Sequence, residues 1–414
     1  MRERGALPIG VCGAANGGNM NREPIGLYLH IPFCRSKCPY CDFCSYPRPS
    51  AEEMEAYTHE LARRIRTAGD LYGGVFRKGE GTTSADGSRV AVDTVYFGGG
   101  TPTLLPSRCV TELFGAIREA FDVLPDAEIT AEGNPAAADG ETLAVWRSCG
   151  VNRLSLGAQS AQAEELRALG RLHRWEDVIR AVEDARGAGI GNINLDFMLG
   201  IPHQTPESLG DTLARALALE PQHLSAYTLM LEEGTPFHRR GRAALGLPAD
   251  EETADEEAIA LWEQASATLR AAGYEHYEIS NYARAGYRSR HNLHTWQCRD
   301  YLGLGVAAHS CMRGERFGQA RDPKGFLRGE DITEFREVLT PGDREAEYIM
   351  LALRLSDGID EGEFARRFGR DFWHSYGDAC IPFIEGGFMI RENGRIRLSE
   401  RGFPVSNAVI AALI

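Results

Sequence analysis

Three cysteines stand close together in the segment HIPFCRSKCPYCDF, spaced as Cys34-x3-Cys38-x2-Cys41. Thiolates are soft donors that hold zinc and iron–sulfur clusters. A structural zinc site takes four ligands, usually as two clustered pairs, and no second Cys or His pair stands at the spacing such a site needs. A four-iron cluster held by three thiolates keeps one iron open, and an open metal position is a place for substrate. The spacing therefore points to a three-cysteine [4Fe–4S] cluster, with zinc or chance clustering as the weaker alternatives. A second candidate is Gly98-Gly99-Gly100-Thr101-Pro102. Glycines after a strand let the backbone approach a ligand with free N–H and C=O groups, although such a run taken alone is also an ordinary turn.

The elements that must position these residues come next. Short β-branched or aromatic runs recur at Leu27–Ile31, Thr94–Phe97, Glu128–Ala131, Asn152–Leu156, Asn192–Phe197 and His223–Leu229. Between them lie stretches with apolar residues at i, i+3, i+4 spacing: Ala51–Ala68, Ser107–Phe121, Glu141–Cys149, Trp175–Ala188 and Pro206–Leu219. Strand–helix alternation makes parallel βαβ units. Six such units predict an α/β fold with a partial (β/α)6 barrel rather than a closed eight-stranded one, with ligands at the carboxyl ends of the strands. The glycine-rich stretch Gly69–Val90 reads as a surface insertion.

After about residue 240 the alternation stops. A long acidic helix is expected over Ala249–Ala272, followed by the strand-like YEHYEIS and by HNLHTWQC. The division expected is a tail over 1–23, a core barrel over 24–240, an extension over 241–330 and a small winged-helix-like domain over 331–414. The last contains helices near Arg344–Leu355 and Glu361–Phe368, a hairpin with Asn393-Gly394 at its tip, and a final helix at Pro404–Leu413.

Composition narrows the partners. The 414 residues carry a net charge of −14, and so acidic a surface repels phosphate backbones and argues against nucleic acid. No apolar run reaches the roughly 18 residues needed to span a membrane. The first residues lack the apolar core of a secretory signal and read as a disordered tail, with Met20 an alternative start. Ten cysteines are too few for a disulfide scaffold, which fits a reducing, cytoplasmic location. Cys12, Cys109, Cys149, Cys298, Cys311 and Cys380 are scattered and read as small buried hydrophobes or incidental thiols.

The segments YLHIPFC, CPYCDF, YFGGGTPT, GVNRLSLGAQS, LGRLH, NLDF-x2-GIP-x-QT and LGLG-x3-HS, in this order, resemble the oxygen-independent coproporphyrinogen III oxidase family of radical-SAM proteins. The likeness runs from about Tyr28 to the C-terminus and is nearest to the family's heme chaperone branch, HemW. It implies that Cys34, Cys38 and Cys41 ligate the cluster and that the open iron holds S-adenosylmethionine (SAM). Tyr40 beside Cys41 matches the family's loop. Gly99, Gly100 and Thr101 would grip the amino and carboxylate ends of SAM. Glu132 and Gln159 would lie on its ribose side, Arg171 would clamp its carboxylate with a planar fork, and Asp196 would line the pocket. Taken singly, each of these polar residues is as well read as a strand end or a structural hydrogen bonder. Tyr28 would lie over cluster or substrate as the catalytic candidate, or else is a packed strand aromatic. By the same resemblance, an electron from the cluster would cleave SAM to methionine and a 5′-deoxyadenosyl radical.

Two functions compete within the resemblance. The family's decarboxylase, which converts coproporphyrinogen III to protoporphyrinogen IX, has a fourth cysteine two positions after the third. Here that position is Phe43, as in the chaperone branch, and Cys44 is out of register by one. The chaperone branch carries a His-Asn-x2-Tyr-Trp heme motif, matched here by His291, Asn292 and Trp296 but with Thr295 in place of tyrosine. The expectation is a heme carrier that binds heme through His291 and passes it to hemoproteins such as respiratory enzymes. The porphyrinogen decarboxylase is the alternative. His294 offers a second imidazole, and Cys298 a thiolate.

Overall fold

The computed structural model describes residues 23–73 and 89–414. The tail expected over 1–23 and most of the insertion expected over Gly69–Val90 lie outside these residues, as does Cys12. Within them, β1 (Ile25–Ile31) is followed by two short strands, β2 (Phe33–Cys34) and β3 (Tyr46–Pro47), which pair in parallel and close the base of the cysteine loop. Helix α1 spans Ala51–Gly73, so the first residues of the expected insertion continue a helix.

Four βα steps and a closing strand then follow: β4 (Ala91–Gly99), α2 (Ser107–Ala120), β5 (Asp122–Gly133), α3 (Gly140–Cys149), β6 (Arg153–Gln159), α4 (Ala163–Ala168) with α5 (Trp175–Gly187), β7 (Asn192–Leu199), α6 (Pro206–Ala218) and β8 (His223–Thr228). The six strands β1, β4, β5, β6, β7 and β8 are neighbours in that order and all parallel. Asp139 and Thr205 cap the helices that follow them by accepting from backbone N–H groups, which satisfies donors that a helix start leaves open.

The strands obey a period of two. Leu27 and Leu29, Val95 and Phe97, Leu154 and Leu156, and Ile193 and Leu195 are fully buried and pack with Leu61, Leu113, Trp146 and Val178 from the surrounding helices. Each such aliphatic side chain contributes on the order of 2 kcal/mol. Parallel strands covered on both faces usually read as continuous apolar runs. Here the alternate positions are polar (Thr94 and Tyr96, Thr130 and Glu132, Arg153 and Ser155, Asn194 and Asp196), so the barrel interior is lined with groups that can bind something.

Past β8 come α7 (Pro236–Arg240) and α8 (Glu251–Ala271), then β9 (Glu275–Glu278) and β10 (Asn281–Ala283), antiparallel on the β8 edge. Helix α9 (Arg290–Trp296) carries the HNLHTW segment and packs under β1 and β4. The sequence suggests no return to the barrel, yet β11 (Tyr301–Leu304) adds to the free edge of β1 in parallel. The strands β12 (His309–Met312), β13 (Glu315–Gln319) and β14 (Thr333–Val338) extend that edge antiparallel, making a 12-stranded sheet. The short α10 (Pro323–Leu327) lies between the last two.

The division expected at residue 331 falls just before this edge strand. A second apolar cluster, from Tyr348 to Leu413, is built by α11 (Pro341–Ala352), β15 (Ile359–Asp360), α12 (Glu361–Phe368), α13 (Phe372–Glu385), the hairpin β16 (Met389–Glu392) and β17 (Arg395–Leu398), and α14 (Ser406–Ala411). Asn393 and Gly394 both have positive φ, as a two-residue hairpin turn requires.

Candidate functional site

One cavity opens at the carboxyl ends of the barrel strands. Cys34, Cys38 and Cys41 all line it, with Tyr40, Gly99, Gly100, Thr101, Glu132, Gln159, Arg171 and Asp196. Of the candidate residues, only Tyr28 and His291 lie elsewhere.

The loop is held by several local devices. Cys41 N–H donates to the Cys38 carbonyl at 3.1 Å, Lys37 Nζ to the Phe43 carbonyl at 2.8 Å, and Thr101 Oγ1 to Cys34 Sγ at 3.6 Å. Burial pushes the Cys34 and Cys41 thiols up. A β-carbon on Gly100 would meet the Phe33 carbonyl oxygen at 2.6 Å, so the triple-glycine turn lets the end of β4 press against β2. Gly99 needs its glycine as well, with φ +107.

Opposite the cysteines, Glu132 accepts from Tyr96 Oη at 2.8 Å and Gly99 N–H at 3.1 Å. Burial, reinforced by the nearby Asp196 carboxylate, nevertheless pushes Glu132 up to about 7. Burial also raises Asp196, although Ser225, Asn194 and Ser155 hydrogen-bond it. Arg153, buried in the interior, is the cation that offsets both carboxylates. Arg171 donates from one terminal nitrogen to the Gly157 carbonyl at 2.7 Å and from the other to Cys38 Sγ at 3.7 Å. Its Nε is buried without a partner. Gln159 adopts φ +65, and Tyr227 Oη donates to its Oε1 at 3.0 Å. A strained backbone of this kind marks a site where position matters more than comfort. Three thiols, an arginine with a spare donor, two buried carboxylates and exposed backbone fit a cluster with a small zwitterionic ligand carrying a sugar.

Tyr96, Ser155 and Tyr227 also line this cavity and were not singled out from the sequence. Their signal was the polar half of the strand alternation.

Tyr28 and His291 belong to a second cavity, with His30, Phe43, Cys44, Thr295, Tyr301, Ala307, His309 and Arg321. Phe43 lines both cavities. The register Gly26↔Tyr301 and Tyr28↔Gly303 makes the second cavity a slot along the seam of β1 and β11, with α9 at its base. Tyr28 therefore does not sit in the cysteine cavity. Its Oη bonds His30 Nδ1 at 3.0 Å, and its ring stacks on Tyr96 and His291. Thr94 Oγ1 holds His291 Nδ1 at 2.9 Å, and burial lowers His291 to about 3, which keeps it neutral. A neutral imidazole held at Nδ1 has Nε2 left for a metal.

The other nearby candidates go elsewhere. His294 is buried with Nε2 2.8 Å from Asp93, and the Arg354 guanidinium lies over the Trp296 ring. Cys298 and Cys311 line a different cavity, beside α11. Cys44 is buried, with Sγ 3.4 Å from Tyr46 Oη.

Comparison with known proteins matches residues 28–216 to the radical SAM superfamily and 339–405 to the HemN C-terminal domain. The chain is 37% identical over 347 residues to the heme chaperone HemW of Escherichia coli, covering 82% of this chain and 85% of that one. It is 31% identical to the heme chaperone HemW of Bacillus subtilis, covering 94% and 98%. It is 37% identical to the mouse mitochondrial radical S-adenosyl methionine domain-containing protein 1, covering 94% and 87%. The fold is shared with the Escherichia coli coproporphyrinogen III oxidase HemN, a radical SAM enzyme, at TM-score 0.78 and 22% identity over 95% of this chain and 90% of that one.

Proposed function

The chain belongs to the HemW heme chaperone family of radical SAM proteins, and from that premise we propose that it binds heme in the second cavity and delivers it to hemoproteins in the cytoplasm. Family membership implies the [4Fe–4S] cluster and SAM. Cys34, Cys38 and Cys41 hold the cluster in the first cavity. When bound there, the cluster supplies an electron to SAM. The protein's own part is to orient: Arg171 takes the SAM carboxylate, Gly99, Gly100 and Thr101 its amino end, and Glu132 and Gln159 its ribose, while Asp196 closes the far wall.

The observation that carries the heme reading is the slot beside the SAM cavity, with a neutral, Thr94-held His291 inside it and Phe43 on the shared wall. Phe43 stands where a decarboxylase of the family would have its fourth cysteine. No helix among the described residues is long and apolar enough to cross a membrane; the recipients proposed are hemoproteins such as respiratory enzymes.

The test is anaerobic. Cluster-loaded protein with SAM, a low-potential reductant and coproporphyrinogen III is assayed for protoporphyrinogen IX, and hemin is titrated in parallel. Hemin binding, weakened in His291→Ala, with no porphyrin product supports the carrier. Product over many turnovers would make the chain a decarboxylase.

A further inference from the structure

We propose that His309 is an axial ligand of the heme iron, placed at the mouth of the second cavity, and that Arg321 beside it takes a propionate. The inference rests on the heme-carrier reading and names two residues that the reading leaves without a role.

His309 opens β12 and is solvent-exposed, unlike its neighbours Ala308 and Ser310. Its only close ring neighbour among the described residues is Phe335, with centroids 5.5 Å apart. His30 is held between Tyr28 and the Cys44 carbonyl and His294 lies on Asp93, so besides His291, whose Nδ1 is held by Thr94, His309 is the imidazole left to face the slot. An unengaged imidazole on the wall of a slot is the group best able to accept iron.

The chain spends unusual geometry on placing it. A β-carbon on Gly303 would lie 2.1 Å from the His309 carbonyl oxygen, and one on Gly305 would lie 2.6 Å from Tyr57 Oη and 2.8 Å from the His30 carbonyl oxygen. Gly305 also has φ +109. Ser310, fully buried, bonds back to Gly303 N–H at 2.9 Å. The LGLG-x3-HS segment thus folds β12 tightly over β11, and the outcome is an imidazole facing out at the slot. Only glycine permits that approach.

Arg321 faces the same slot and forms a two-pronged pair with Asp42, at 3.1 and 2.7 Å. Both side chains are about half exposed (58% and 43%), where solvent screening leaves such a pair weak. A porphyrin propionate offers Arg321 the same planar two-oxygen partner, so exchange is cheap. Phe43, which lines both cavities, is 67% exposed and offers an apolar face for a flat macrocycle. A rim ligand also suits a carrier, because a recipient's own ligand can reach the iron there and displace it.

Hemin titration of the full-length chain, followed by absorbance and electron paramagnetic resonance, tests the assignment. His309→Ala is expected to weaken hemin at least tenfold and to change the spectrum of the bound iron, with added imidazole restoring both. His309→Gln, which keeps the polar bulk, should lose the same spectrum, and Arg321→Ala should weaken hemin severalfold without altering it. Iron content of the cluster and SAM binding should stay as in the parent in all three. His59→Ala, which removes a surface histidine remote from the slot, should change nothing. Unchanged affinity and spectrum in His309→Ala would overturn the assignment while leaving the carrier reading standing, as would an equal loss in His59→Ala. A parent protein with intact cluster and SAM that binds no hemin would overturn both.

Discussion

The two cavities share Phe43 but are built on different principles. The first is assembled from the ends of consecutive βα units, so most of its lining residues lie next to strands whose order is also their sequence order. Its polar groups are already tied to one another: Glu132 to Tyr96 and Gly99, Asp196 to Ser155 and Asn194, Gln159 to Tyr227. The second is a seam between β1 and a strand about 275 residues later, and its rim groups are exposed and weakly paired. Preorganisation of this kind favours tight, repeated binding of one small cofactor, whereas a loose rim favours a cargo that must leave again.

The sharpest break in the comparison comes from Cys38→Ala. It should lower cluster iron and sulfide to background while leaving hemin affinity in the second cavity within about twofold; loss of both together would mean that the cavities are one site.

A second test concerns buried charge. Glu132 is raised from 4.5 to about 7, so between those values the folded state holds a proton that the unfolded state has released. Relative to Glu132→Gln, the stability of the cluster-free, SAM-free parent should therefore fall as pH rises through this window, by about 3 kcal/mol, and the difference should level off above it. Glu278, raised to about 7 by burial in β9, adds a similar slope, while the buried imidazoles of His173, His276 and His291, lowered to about 4, 4 and 3 from 6.5, act in the opposite direction. In denaturant melts the difference between the parent and Glu132→Gln isolates this group, and a difference that does not change with pH would show that Glu132 is not buried as a carboxylate.

Arg171→Ala removes a charge-assisted clamp and should weaken SAM by roughly 10- to 30-fold, read by equilibrium dialysis, with hemin affinity unmoved. The smallest effect is expected from Thr295→Tyr, which restores the chaperone-type aromatic to the second cavity. Hemin affinity should shift about two- to fivefold with no change in SAM binding, and a shift in SAM instead would erase the distinction between the cavities.

The six barrel strands and their helices were legible because each carries its own period of apolar residues, and the cysteine loop because its spacing is local. The hairpin at Asn393-Gly394 was legible for the same reason, since its turn chemistry sits in two adjacent residues. Helix α13 was not, because Gly377 and an internal Pro382 speak against a helix, and only packing of Phe372 and Cys380 into the second apolar cluster sustains it. The β11 addition to β1 was equally invisible. Four residues of strand carry too little pattern to name a partner on the far side of the chain.

The sequence by itself therefore determined the parallel barrel and the cluster loop, because those depend on short-range periodicity and on local spacing, while the polar residues that it named for the first cavity came from the family resemblance. Tertiary structure alone decided that Tyr28 and His291 face a separate slot, that Cys44 lines it away from the first cavity, and that His309 and Arg321 both line it. Those placements depend on a long-range strand pairing whose stability comes from burial summed over the whole sheet, a quantity that no single segment of the chain encodes.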